Sequence, residues 1–176
     1  MESFIQDYGY IALFLYSFGG GMLALAVAGV FAAGGSLDIN IVIFVAIVSN
    51  TIGDGFLFYI ARNNKQYAND MMKKHERKIQ LAHRMMEKYG WGAIIFQKYI
   101  YGIKTLIPLA IGLTQYDSKK FMIFNFIGAI IWALVVGLSA YFLGDVVTNS
   151  LEEYKTYGIV ILLSLLALLF YFINKY

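Results

Sequence analysis

The sequence predicts an all-α integral membrane protein. It reads as an inverted-topology repeat of two re-entrant helical hairpins, each followed by a transmembrane helix, with an amphipathic cytoplasmic helix between the repeats and a C-terminal transmembrane helix. Three observations carry the prediction. Of 176 residues, 60% are hydrophobic and 14% charged, more apolar surface than one small soluble core can bury, so the bilayer is the natural solvent. Two runs, Leu37 to Ala61 and Phe121 to Leu143, are long and apolar enough to span it. Two further apolar runs are interrupted near their middle by glycine.

In chain order, the opening MESFIQDYGY lacks a basic n-region and carries Glu2 and Asp7, so it is expected to stay in the mature protein. Tyr8 to Ala33 is broken by Gly19-Gly20-Gly21, and Trp91 to Leu113 by Tyr101-Gly102, with Pro108 beyond. Each flanking piece, ten to twelve residues, makes roughly 15 to 18 Å of helix, about half of a roughly 30 Å hydrocarbon core. Lipid cannot satisfy the backbone groups freed at such a break, so the two tips are expected to face each other inside protein. LALAVAG at 23 to 29 resembles LIPLAIG at 106 to 112, and GFLFYIA at 55 to 61 resembles GLSAYFL at 137 to 143. The halves, about 8–61 and 91–143, thus read as repeats of one single-domain chain. A hairpin returns to the side it entered and the spanning helix then crosses, so the second repeat enters from the opposite face. Tyr157 to Ile173 closes the chain as a further spanning helix.

Charge placement agrees. The face holding residues 62–90, 114–120 and 174–176 receives 11 of the 14 Lys and Arg, while the other keeps Lys155 with Glu2, Asp7, Asp38, Asp145, Glu152 and Glu153. The positive-inside rule makes the first face cytoplasmic. Residues 67–90 interleave Met71, Met72, Ile79, Leu81, Met85 and Met86 with charges at helical spacing, which suits one amphipathic helix on an anionic leaflet. His75 and His83 lie in it eight residues apart with no third ligand at helical spacing, so a solvated face is preferred to a metal pair. There is no cysteine, hence no disulfide, thiol nucleophile or thiolate metal site. No cofactor is expected.

Charge at bilayer depth is costly, so Lys98, Lys104 and Asp54 each demand a partner or a task. The lysines flank Gly102 on opposite arms of the second hairpin. The helices expected to start near Ile103 and Met22 would aim their N-terminal N–H groups at the same region, making a site of positive potential. Its natural ligand is a phosphate or carboxylate headgroup. Gly20, Gly21 and Gly102 would admit backbone to that ligand, and Thr105 could add a hydroxyl. The competing reading is that the lysines snorkel to the interface. Asp54 is a counter-ion to one of them or a proton carrier, and Asn50 and Thr51, one turn before it, extend a polar stripe or bond a neighbouring helix. Gln97, Asn125 and Trp132 are lesser candidates, and Tyr16 and Ser17 complete the opposing tip. Ser17, Ser36, Ser49 and Ser139 have no histidine nearby, and no phosphate loop follows a strand, so no enzyme is expected.

The second half, HERKIQLAHRMMEKYGWGAIIFQKYIYGIKTLIPLAIGLTQYDSKKFMIFNFIGAIIWALVVGLSAYFLGD, resembles the DedA family of bacterial inner-membrane proteins, whose core is also called the VTT or SNARE-associated domain. The family carries an Arg-Phe-x-Pro-x-x-Arg-Thr run, a proline, an Ala-Gly, a basic loop and an Asn-x-x-Gly-x-x-x-Trp helix. Lys98, Lys104, Thr105, Pro108, Gly112, Asn125, Gly128 and Trp132 fall on those positions. In the first half IGDGFLFYIAR resembles the family's Gly-Asp helix end through Gly53, Asp54, Tyr59 and Arg62. The resemblance covers roughly residues 10–146. Here both arginines are lysines, which keep the charge but lose the bidentate fork, and Tyr101 replaces the proline between them. The stretch LYSFGGGMLA carries neither the carboxylates nor the proline of the family's first hairpin, so the resemblance does not by itself imply the family's proton-dependent function here.

The resemblance implies lipid translocation, such as recycling of undecaprenyl phosphate or movement of phosphatidylethanolamine in the bacterial inner membrane. The leading expectation is therefore a flippase or scramblase for a phosphate-bearing lipid, its hairpins rocking to give alternating access. The alternatives are a proton- or ion-coupled transporter of a small solute, with Asp54 titrating, and a scaffold recruiting a partner through the basic amphipathic helix. Expected partners are an anionic lipid headgroup and membrane lipids, with no nucleic acid; homo-oligomerisation is left open.

Overall fold

The computed structural model of the chain describes residues 2–19, 21–73, 76–100, 104–150, 160 and 164. Among them there are eight α-helices and no strand: α1 (Glu2–Phe18), α2 (Met22–Ala33), α3 (Ile39–Asn63), α4 (Lys65–Lys73), α5 (Glu76–Tyr89), α6 (Trp91–Phe96), α7 (Leu106–Leu113) and α8 (Ser118–Ser150). A single 3-10 turn, Gln97–Tyr99, follows α6. Ile39–Asn63 and Ser118–Val146 are long and apolar enough to cross a membrane. The 25 residues of α3 extend about 37 Å, beyond the roughly 30 Å of a hydrocarbon core.

Local chemistry sets the helix ends. Asp38 Oδ1 accepts the N–H groups of Asn40 at 2.7 Å and Ile41 at 3.3 Å, so α3 starts just after it. Asp117 Oδ1 accepts the Lys120 N–H at 2.8 Å in the same way. That cap draws Lys119 and Lys120, expected in a loop, into the first turn of α8. At the end of α2, Ser36 N–H reaches Phe31 O and Gly35 N–H reaches Ala32 O, both at 3.0 Å. Gly35 has φ +80°, the left-handed residue this helix stop requires.

The second interrupted run departs further from expectation. Its α-helix stops at Phe96, tightens into the 3-10 turn and resumes only at Leu106, so the flanking helices have six and eight residues rather than ten to twelve. Pro108 forbids a start near Ile103. It would then lie in the helix interior without an N–H for its carbonyl partner, whereas after Leu106 it falls in the first turn, where N–H groups have no intrahelical acceptor. Lys104 and Thr105 accordingly lie in a turn before α7 and not inside it. The amphipathic segment is two helices, α4 and α5, and Lys74 and His75 between them lie outside the described residues. So do Gly20, Tyr101, Gly102, Ile103 and the C-terminal run 157–173, apart from Val160 and Ser164.

The chain divides into two compact units: Met1–Ser17, Gly21–Ile47 and Trp132–Tyr176 form unit 1, and Phe18–Gly20 with Val48–Ile131 form unit 2. In unit 1, α2 packs on the later part of α8 through small residues. A Cβ on Gly29 would come within 2.8 Å of the Gly137 carbonyl, and one on Gly144 within 2.9 Å of Ala33 Cβ. Ala26, Val30 and Ala140 close the same seam. Close backbone approach of this kind is how helices associate where lipid removes the hydrophobic drive between them.

In unit 2, Phe58 of α3 stacks on Phe121 of α8 with centroids 4.2 Å apart. Met85, Ala93, Ile94, Ile107 and Ile111 join them in one core, which ties α5, α6 and α7 together. Arg62, near the end of α3, donates from Nε to Gly112 O at 2.9 Å and from its guanidinium to Tyr116 O at 2.8 Å. These carbonyls end α7 and follow it, where a cation also meets the negative end of the helix dipole. Arg62→Ala is expected to cost about 1.5 to 3 kcal/mol, the worth of hydrogen bonds to a charged group. Arg62→Lys should recover little, lacking the fork that spans two acceptors; thermal melting in detergent checks both.

Candidate functional site

Every member of the site belongs to unit 2. Asn50 and Asp54 are one turn apart on α3, and an i, i+4 pair shares a helix face. Asn125 comes from α8 and Lys98 from the 3-10 turn. All four are buried, with the Lys98 and Asp54 side chains 0% and 2% exposed.

Lys98 is the hub. Its ammonium donates to Asn50 Oδ1 at 2.6 Å, Asp54 Oδ2 at 2.7 Å and Asn125 Oδ1 at 2.8 Å. An ammonium has three protons, so each has its acceptor. The Asn125 amide nitrogen continues the network by donating to Thr51 O at 3.0 Å. Asp54 is thus in ion-pair contact with Lys98.

Two glycines allow close approaches at or beside this cluster. A Cβ on Gly128 would stand 2.9 Å from Lys98 Cε and 3.2 Å from Ile95 Cα, so only a hydrogen there lets the lysine stem pass α8. A Cβ on Gly53, the residue before Asp54, would collide with the Phe18 carbonyl. The sequence holds a signal for the first in the spacing Asn-x-x-Gly, which places Gly128 on the same face as Asn125.

Lys104 is buried and within electrostatic reach of both Asp54 and Lys98. Two ammonium groups against one carboxylate leave the cluster with one excess positive charge. Thr105 is half-buried and starts α7 without a side-chain cap bond. Pro108 is buried in the first turn of α7. Gln97 is fully buried, and among the described residues neither its amide nitrogen nor its amide oxygen finds a hydrogen-bond partner; nor do the buried Asn50 amide nitrogen and Thr51 hydroxyl. Gly21 lies in unit 1, where its N–H closes on Tyr16 O at 2.9 Å. Ser17 is buried and Tyr16 exposed in the same unit, which also buries Trp132. Gly20 and Gly102 lie outside the described residues. No cluster of three metal-ligating side chains occurs among the described residues.

The VTT domain profile matches residues 8–142. The chain is 28% identical over 153 residues to inner membrane protein YohD of Escherichia coli K12, covering 87% of this chain and 80% of that protein. It is 27% identical over 127 residues to protein DedA of the same organism, covering 69% and 58%. It is 28% identical over 91 residues to inner membrane protein YqjA, also of that organism, covering 52% and 41%. No solved structure matches it.

Proposed function

Because the chain belongs to the VTT-domain, or DedA, family of inner-membrane proteins, we propose that it moves a phosphate-bearing lipid between leaflets, with undecaprenyl phosphate or phosphatidylethanolamine as cargo. The observation that carries the reading is that the charged side chains of Lys98, Lys104 and Asp54 are buried within unit 2. Charge at membrane depth is retained where something polar must pass, and an excess of one positive charge selects an anion. The headgroup crosses at this cluster while the acyl or prenyl tails stay in lipid.

The hairpin reading of the first repeat is supported within unit 1, where Tyr10 in α1 accepts the Asp38 N–H at 2.8 Å. Asp38 lies beyond the end of α2, so α2 returns along α1. On the positive-inside reading the basic segment 62–90 lies in the cytoplasm, which puts Asp38, before the other end of α3, on the opposite side. Asp54 stands as the ion-pair partner of Lys98 in this cluster.

Proteoliposomes of phosphatidylcholine doped with labelled phosphatidylethanolamine or with undecaprenyl phosphate test the reading, by chemical access to lipid in the outer leaflet. Lys104→Ala should slow movement at least about tenfold, equivalent to about 1.4 kcal/mol of barrier, and Lys104→Arg should keep most of it. Equal rates in wild type and Lys104→Ala, or none above empty vesicles in the wild type, would refute it.

A further inference from the structure

We propose that the headgroup is met directly by Gln97, assisted by the Asn50 amide and Thr51 hydroxyl, and that Lys98 serves as the fixed post around which they stand. The inference rests on the lipid-transport reading and names its contact residues. The three protons of Lys98 are engaged at 2.6, 2.7 and 2.8 Å, so it cannot add a phosphate oxygen without surrendering a buried partner. Among the described residues, buried polar atoms without a hydrogen-bond partner on or beside the members of this ion-pair network include the Gln97 amide nitrogen and oxygen, the Asn50 amide nitrogen and the Thr51 hydroxyl. They belong to the residues that build the ion pair. Asn50 itself bonds Lys98, Thr51 follows it and gives its carbonyl to Asn125, and Gln97 precedes Lys98 in the 3-10 turn.

A primary amide buried with neither end bonded is a standing cost to the fold, and leucine or methionine would fill the space without it. A ligand that bonds both ends of the amide would offset that cost. The amide nitrogen donates and the amide oxygen only accepts, so the matching headgroup presents an anionic oxygen together with an N–H or O–H. Phosphatidic acid does so through its P–OH, and phosphatidylethanolamine through its ammonium; phosphatidylcholine has the oxygen but no donor. Neutral donors beside a fixed ion pair also hold an anion without trapping it, as a permeation site requires.

The test uses the purified full chain in detergent, melted alone and with each of these three lipids, beside Gln97→Met, which is close in shape and apolar. Wild type should gain about 2 to 4 °C with phosphatidic acid, phosphatidylethanolamine or both, and less with phosphatidylcholine; which of the two acts identifies the donor. Gln97→Met should melt higher than wild type without lipid, and its response to all three lipids should fall to the phosphatidylcholine level. A lower lipid-free melting point for Gln97→Met, or a headgroup preference that survives the substitution, overturns the proposal, as does a wild type that responds equally to all three lipids. Vesicles separate the two readings. Movement that needs Lys104 but runs at wild-type rate in Gln97→Met removes Gln97 and leaves transport standing; no wild-type movement at all removes transport, while the melting series still judges the amide.

Discussion

Asp54→Ala is expected to cost about 3 to 5 kcal/mol of stability, the penalty for leaving a buried charge without its partner. The Lys98 ammonium is 0% exposed at the side chain and cannot turn to water; after the substitution it would keep Asn50 and Asn125 but no counter-charge. Lys98→Ala should cost a comparable amount, since it strands the carboxylate and opens a gap beside Gly128. The double variant Asp54→Leu/Lys98→Met should recover most of the loss, because apolar residues of similar volume often replace a buried pair without penalty. On the lipid-transport reading it should move no lipid. Reversible unfolding in detergent reports the first quantity and the vesicle assay the second. If the double variant is no more stable than the singles, Asn50 and Asn125 rather than the ion pair dominate the cluster.

Gly112→Ala is the second large effect expected, at about 1 to 3 kcal/mol for overpacking against atoms that cannot yield. The added methyl would sit 2.5 Å from the Phe58 carbonyl and 2.7 Å from Ala61 Cβ. One neighbour is helical backbone, and the other lies in a core of fully buried side chains with Leu109 and Ala110. The substitution must therefore push α7 away from α3, which also lengthens the Arg62 bond to Gly112 O. Melting of Gly112→Ala beside Gly35→Asn separates crowding from backbone conformation, because a Cβ at Gly35 meets nothing within 4 Å and asparagine tolerates its positive φ. Equal, small losses in both would mean that α7 and α3 separate freely.

What could be read from the chain beforehand followed from solvation. A carboxylate and two ammonium groups in apolar runs demand partners or a task, so Asp54 reads as a counter-ion or a proton carrier, and its Asn50 neighbour follows from helical spacing. Asn125 was legible only as a polar group in a helix, since its bond to Lys98 joins residues 27 apart. Arg62 counted as one more cytoplasmic charge, although its acceptors are the carbonyls of Gly112 and Tyr116, 50 and 54 residues on. Such long-range contacts leave no local pattern. The start of α7 was legible in principle, because Pro108 alone excludes an earlier beginning; the glycine break at 102 drew the expected boundary towards itself.

The reach of Arg62 has a mechanical consequence. Residues 98 and 112 belong to the two arms of the second interrupted run, and α3 fastens both, the first through Asp54 and the second through Arg62. The fastenings are eight residues apart on one helix, about 12 Å. A bracket bolted at two points cannot pivot on either. Swinging one arm alone would break a buried ion pair or uncap a helix, so the arms and the C-terminal part of α3 travel as one piece.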